Sequence, residues 1–347
     1  MTKQLISVFV CALLAFNSYA DTIETNGEMN NVSTPVTLPP DLNIDDTNVP
    51  SISNTNIEQN TTDSVSNKPE EKSEYYIVDG SIELVKELAD LSNVTTDPKI
   101  AYESARFANY ISENSIRARM AGQKKLIIVN LPSYTLYAIN VETGKTEIES
   151  KVIVGKKVSK TPIFSTNIKS ITFNPTWTPP VSVLKRSVYP SLGKKGGYAD
   201  KHGLVINKDG YLLPLSTPTI TKEDLRGYTI YQPSGIHNSL GRIRFNTDND
   251  MAIYLHDTNE RSLFNKDARA LSLGCVRVQD WQNLALWISD WNKVWFESNM
   301  DSKNTDGTFV TKTILVPKLS VGIGYFTIKK DSTNNWVMAD NVYDRDD

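Results

Sequence analysis

The sequence predicts a mainly β protein: a β-sandwich or barrel-like sheet with an inserted segment, preceded by two helices and a disordered tract. Three observations carry this prediction. From Lys125 onward, short apolar runs with two-residue alternation recur between turn residues. From Ser81 to about Gly122 the apolar spacing is helical instead. Residues 21–74 are rich in Asn, Thr and Ser and contain no aromatic residue, so they cannot bury enough apolar surface to offset their chain entropy.

The chain has 347 residues and a formal net charge of −3. Residues 1–20 read as a secretory signal: Lys3 gives the positive start, Leu5 to Phe16 the apolar core, and Ser18-Tyr19-Ala20 a small-residue cleavage site. Cys11 leaves with that peptide. Val10 is not the small residue expected before a lipid-modified cysteine, so no lipoprotein is expected. No later run approaches the length of a transmembrane helix. Residues 21–74 hold 11 acidic and 2 basic side chains, a net −9, which leaves residues 75–347 at about +5. That mild excess suits an anionic partner but gives no reason to expect nucleic acid.

Residues 75–122 form a helical prelude, in which Leu84, Val85, Leu88 and Leu91 recur at helical spacing and Ala101 to Met120 continues the pattern. Whether these helices pack on the rest is open at this point. Strands are expected at Leu126 to Leu131, Tyr134 to Val141, Glu147 to Val154, Ile163 to Ile168 and Ser170 to Asn174. Pro179-Pro180 takes the chain out of the sheet, and Val181 to Leu192 reads as a helix. Residues 182–233, with six glycines, form an inserted segment that is either a lid or a solvated loop. Asn238 to Phe245 returns to a strand. Met251 to Leu255 reads as another. Trp281, Leu284, Ile288, Trp291 and Trp295 fall on one helical face and suggest a core-packing helix. A main domain is thus expected at 123–300. A strand-rich extension follows at 301–347, with runs at Ile314 to Val316, Val321 to Ile328 and Trp336-Val337.

The chemistry is concentrated in Tyr254 to Val278, YLHDTNERSLFNKDARALSLGCVRV. It holds His256 and Cys275. A thiol is a strong nucleophile only as thiolate, and an imidazole is the usual means of forming one near neutral pH. An isolated cysteine is more often a buried small hydrophobe. Two features argue otherwise here: Cys275 is the one thiol expected in an exported chain, and Gly274 before it lets backbone N–H groups approach a reacting carbonyl. The reading is cysteine acyl transfer. Cys275 is the nucleophile, His256 the general acid and base, and Gly274 or Cys275 the source of an oxyanion-binding N–H. Strand alternation places Tyr254 on the His256 face and Asp257 on the other, so a backbone carbonyl, not Asp257, should orient the imidazole. Arg277 could bind a substrate carboxylate or form a structural ion pair. Ser272 could position the loop.

The His256-Asp257-Thr258 and Ser272-Leu273-Gly274-Cys275-Val276-Arg277 motifs resemble the signature of YkuD-type L,D-transpeptidases. Asp257, Leu263-Phe264 and the spacing resemble the long-lid, YcbB-like branch. The likeness runs from about Leu126 to the C-terminus. It implies a catalytic β domain capped by a lid, a tetrapeptide stem as donor, and a diaminopimelate side-chain amine as acceptor. The product implied is a 3–3 peptidoglycan cross-link. It also implies carbapenem sensitivity, a place for Trp177 on the cleft wall, and a periplasmic, wall-associated protein. Carboxypeptidase trimming of D-Ala, attachment of a lipoprotein to the wall, and non-catalytic wall binding are the alternatives. No peptidoglycan-binding repeat is visible. His202 and His237 stand outside any ligand-spaced cluster, so no metal is expected, and no cofactor or nucleotide motif is present.

Overall fold

A computed structural model describes residues 79–305 and 307–345. The expected signal at 1–20 and tract at 21–74 lie outside the described residues. Thirteen strands follow one another in the described chain: β1 (Lys125–Asn130), β2 (Thr135–Asn140), β3 (Thr146–Gly155), β4 (Phe164–Phe173), β5 (Val205–Lys208), β6 (Tyr211–Pro214), β7 (Ile243–Thr247), β8 (Leu255–His256), β9 (Ala270–Ser272), β10 (Val276–Val278), β11 (Lys312–Gly324), β12 (Ile328–Lys330) and β13 (Trp336–Met338). The main sheet runs β10-β8-β7-β4-β11-β1-β2-β3-β9, and a further β10–β3 pairing closes it into a barrel. Closure removes the unpaired edges that an open sheet would present.

The near-continuous apolar run of β1 has a simple cause, because both faces of this strand are buried. Ile127 and Val129 point into the barrel with Leu136, Ala138, Phe245 and Leu255. Leu126 and Ile128 point outward, where they meet Tyr137, Ile139 and two helices, α1 (Glu83–Val94) and α2 (Pro98–Met120). The helices contribute Val85, Leu88, Phe107 and Ile111 to this second core. Each fully buried side chain of this size contributes about 1.5–3 kcal/mol of transfer free energy. Asp97 caps α2 by accepting from Lys99 and Ile100 N–H, and Pro98 occupies its first turn. The prelude is therefore packed on the barrel.

Several expected elements are redrawn. The runs at 163–168 and 170–174 are one strand, β4. Its partners step from Ile168↔Thr247 to Ser170↔Asn246, so Lys169 is the extra residue of a bulge. The runs at 314–316 and 321–328 are likewise merged up to Gly324 in β11, with a shift between Leu315 and Leu319. Pro317, which has no N–H to give a ladder, lies within that shift. β11 sits between β4 and β1, so the strand-rich end of the chain forms the middle of the sheet. The expected strand at Met251 to Leu255 shrinks to Leu255–His256, because Asn249 accepts from Met251 and Ile253 N–H and folds 249–253 into a turn. Val181 to Leu192 is helical but irregular, passing through three short pieces. The tryptophan-rich helix is two helices, Trp281–Ser289 and Lys293–Met300. Asp290 takes a left-handed φ of 54° between them, and Asn292 caps the second.

The inserted segment has an apolar core of its own. Trp177, Val183, Val188, Leu204, Ile206, Leu215, Ile220 and Ile230 form one buried cluster. A solvated loop would not hold such a cluster together.

Gly144 joins the helices to the barrel. It turns the chain between β2 and β3 at φ +77°, its carbonyl accepts from Glu83 N–H (2.8 Å), and a Cβ there would lie 2.0 Å from the Ser81 carbonyl oxygen. Gly144→Ala is expected to cost at least about 1–3 kcal/mol, the usual strain of a non-glycine residue so placed. The denaturation midpoint measures this; an unchanged midpoint would refute the role given to this contact.

Candidate functional site

Two very short strands place the motif residues together. β8 and β10 run parallel, with Val276 beside Leu255 and Arg277 beside His256. β7 lies antiparallel on the other side of β8, with Arg244 beside His256. Residues in register share a face, so Arg244, His256 and Arg277 form a row across three strands. Leu255, Phe245 and Val276 fill the barrel beneath. Cys275 immediately precedes β10, and Val276 N–H donates to the Tyr254 carbonyl (3.1 Å).

The imidazole is buried, with the backbone carbonyls of Asp257 and Leu240 beside it. Its Nδ1 lies 2.5 Å from the Asp257 backbone carbonyl. A carbonyl only accepts, so Nδ1 carries the proton and Nε2 is left as an acceptor in the neutral ring. Burial pushes His256 down to about 3, and the nearby Arg277 charge adds to this. The ring is therefore neutral at any working pH. The Asp257 carboxylate faces away. It accepts from Arg242 N–H (2.8 Å) and pairs with Arg261 (2.8 Å). Gly241, at φ +63°, is needed for this: a Cβ would lie 2.2 Å from Asp257 Oδ2. The backbone carbonyl, not the neighbouring carboxylate, orients the ring.

Cys275 is a free, half-buried thiol. Its Sγ donates to the Ala252 carbonyl (3.5 Å). Burial raises its pKa above the ordinary thiol range; contacts with Tyr254 and the charges of Arg244 and Arg277 oppose that shift. Thiol and imidazole are thus both neutral in this arrangement, and Nε2 is free to take a proton when Sγ turns away from Ala252. Tyr254 lies on this face as strand alternation expects. Its ring meets His256 edge-on at 5.7 Å, and burial raises its phenol pKa.

The loop before the thiol is clamped. Ser272 Oγ donates to the Cys275 carbonyl (2.7 Å) and accepts from Gly274 N–H (3.1 Å). The Gly274 amide therefore has a partner within the loop. Its φ of +129° is one that glycine adopts readily. Ser272 is buried and doubly bonded within the loop, which it positions. Trp177 is 7% exposed in the buried cluster of the inserted segment, with its backbone bridged to Gln232, and Tyr254 packs against that same cluster. Arg277 is engaged: Nη1 donates to Thr258 Oγ1 (3.2 Å) and to Glu260 (2.8 Å).

Sequence reasoning missed three contributors. Arg244 stands beside His256; the alternation of Ile243 and Phe245 inward with Arg244 outward was the available signal. Thr161 and Tyr343 brace the loop from behind. Thr161 Oγ1 donates to the Gly274 carbonyl (2.7 Å) and accepts from Gly155 N–H (2.9 Å). Tyr343 OH donates to the Gly155 carbonyl (2.8 Å) and accepts from Thr161 N–H (3.2 Å). No local pattern signals a brace between residues so far apart in sequence. A separate cavity of about 590 Å³ opens between the inserted segment and residues 307–309, where His202 and His237 lie among its walls.

The sequence model of the YkuD family, described as the L,D-transpeptidase catalytic domain, matches residues 124–309. A Haemophilus influenzae protein named provisionally as an L,D-transpeptidase is 33% identical over 184 residues, which are 52% of this chain and 37% of that protein. The match thus spans little more than a third of that relative's length. Among solved structures, the L,D-transpeptidase from Mycobacterium smegmatis is 11% identical over 58% of each chain, with a TM-score of 0.26. L,D-transpeptidase 1 of Mycobacterium tuberculosis is 12% identical over 58% of this chain and 61% of its own, also with a TM-score of 0.26. At that level of overlap nothing about chemistry follows from either structure.

Tyr343→Phe removes one hydroxyl and leaves the Gly155 carbonyl and the Thr161 N–H without their partner. A stability loss of about 1–3 kcal/mol is expected from those buried groups, together with slower alkylation of Cys275 by iodoacetamide. Denaturation and thiol-labelling rates measure the two effects; a variant unchanged in both would remove Tyr343 from the brace.

Proposed function

Because the chain belongs to the YkuD family of L,D-transpeptidase catalytic domains, we propose that it moves acyl groups between peptidoglycan stem peptides and forms 3–3 cross-links. The observation that carries this reading is the imidazole held through Nδ1 by the Asp257 carbonyl, with Nε2 left as a base on the face that carries Cys275. That is the protonation state a thiol nucleophile needs from its partner.

The steps use residues of this chain. Cys275 Sγ gives its proton to His256 Nε2 and attacks the carbonyl joining diaminopimelate to D-Ala in a tetrapeptide donor. A backbone N–H of Gly274 or Cys275 stabilises the oxyanion. His256 returns the proton to the leaving D-Ala nitrogen, the C–N bond breaks, and a thioester remains. A diaminopimelate side-chain amine then attacks the thioester, loses its proton through His256, and releases the thiol. Tyr254 walls the reacting centre. The inserted segment, with its own packed core, serves as a lid that keeps water from the thioester. The place of action is the periplasm, at the wall. Among the described residues no helix is long and apolar enough to cross a membrane.

The test is digestion of stem peptides treated with the purified protein, followed by mass spectrometry. Dimers linked 3–3 support the reading. Trimmed tripeptides alone, lipoprotein-linked peptides or no change each replace it with another. Cys275→Ala is expected to abolish product while the fold survives, and His256→Ala to lower the rate by about two to four orders of magnitude. Product from the alanine variant at 275 would overturn the mechanism.

A carbapenem should acylate Cys275, adding one drug mass to the peptide that contains it. The raised thiol pKa and the neutral His256 fix the pH dependence. Only the thiol titrates in the working range, so the acylation rate should climb steadily between about pH 6 and 9, with no break near the ordinary imidazole value. A flat profile would show a preformed thiolate–imidazolium pair instead.

A further inference from the structure

The site holds two arginines on one face, and their states differ. Arg277 is engaged through Nη1 by Thr258 and by the carboxylate of Glu260, while its buried Nε has no partner among the described residues. Arg244 has no acidic partner among the described residues. Its Nε donates to Asn246 Oδ1 (2.6 Å), and Asn246 Nδ2 in turn donates to Ser170 Oγ (2.9 Å) and Thr172 Oγ1 (2.8 Å). The guanidinium lies over the Tyr254 ring, 5.3 Å from its centre. Two strands, β7 and β4, and one aromatic face thus fix this side chain, while the two Nη ends of its fork are hydrogen-bonded to nothing among the described residues. A preorganised guanidinium with its outer edge open is suited to bind a carboxylate with little further ordering.

The order of the strands says which carboxylate. The thiol lies at the start of β10, the imidazole on β8 and Arg244 on β7, in that order across the sheet. The base hands its proton to the leaving nitrogen, so that nitrogen lies at β8. Adjacent strands are about 4.8 Å apart. A carboxylate two bonds beyond that nitrogen falls toward β7. We propose that Arg244 binds the α-carboxylate of the amino acid whose nitrogen is at His256. In acylation this is the terminal D-Ala of the donor. In transfer it is the diaminopimelate centre that supplies the acceptor amine, which carries its carboxylate on the same carbon. One cation then recognises the leaving and the incoming group in turn. Arg244 is a substrate-binding residue that sets specificity for a free α-carboxylate, and Arg277 holds the His256-Asp257-Thr258 segment through Thr258. This inference rests on the acyl-transfer reading above.

The experiment compares a tetrapeptide donor ending in a free acid with the same peptide ending in an amide. Wild type should prefer the acid by about ten- to a hundredfold in kcat/KM, the scale of one charge-assisted hydrogen-bonded pair. Arg244→Gln should collapse that ratio toward one, Arg244→Lys should restore part of it, and Arg277→Gln should leave it standing. A ratio measured on one preparation does not depend on how much of the variant is folded. The acceptor step is read the same way, with D-amino acids against their amides. If Arg244→Gln keeps the wild-type preference, or if Arg277→Gln abolishes it, the assignment is wrong while acyl transfer stands. If wild type turns over neither donor, the acyl-transfer reading fails and this one falls with it.

Discussion

The parallel pairing of β8 with β10 is the constraint on which the site depends. Both strands are two or three residues long, yet β10 also pairs with β3 and so closes the barrel. The strand that completes the hydrogen-bonded ring is the one that follows the thiol. Fixing Val276 beside Leu255 fixes Cys275 relative to His256, since a shift of one residue would turn each side chain to the opposite face. The apolar partners on the inner face, Leu255, Val276 and Phe245, make that shift costly by exposing a buried side chain. Precision in the chemistry is inherited from packing beneath it.

Charge at the site is arranged around neutrality. The imidazole is buried, and its nearest charges are arginines, which oppose a second proton on the ring. The same arginines favour a thiolate, but burial of the sulfur outweighs them. The result is a nucleophile kept protonated until something changes its surroundings. In the proposed reaction the substrate brings an anion to Arg244 and a carbonyl to the sulfur. The cost of forming charge there is then offset by bonding to carbon in the same event.

Much of this was legible in the sequence where one face of an element meets a core. The alternation in β1 to β3 reported real strands, and the helical spacing of Leu84, Val85 and Leu88 reported a helix that is docked. The His256 and Cys275 motifs lay on the residues that the fold brings together. What stayed hidden has physical reasons. Lys169 and Pro317 interrupt alternation because bulges do, so single strands read as pairs. Met251 to Leu255 has the composition of a strand, but the side chain of Asn249 takes the N–H groups that a ladder would need. Asp290 can adopt the left-handed conformation that splits the tryptophan helix, and periodicity is blind to it. The bond from the Gly274 amide to Ser272 depends on a hydroxyl rotamer. The brace through Thr161 and Tyr343 spans most of the barrel domain and leaves no local trace.

The central place of β11 bears on how the chain is made. A ribosome or a translocation pore delivers residues in sequence order, and β1 and β4 emerge well before the strand that separates them. Until Lys312–Gly324 arrives, each presents a bare edge of unpaired N–H and C=O groups. Tyr343, which frames the thiol loop from behind, comes later still. A nascent chain therefore carries the whole His256–Cys275 motif without the scaffold that aims it. Its open edges are surfaces for a chaperone to cover, and its thiol is unarmed while the remainder of the polypeptide is in transit.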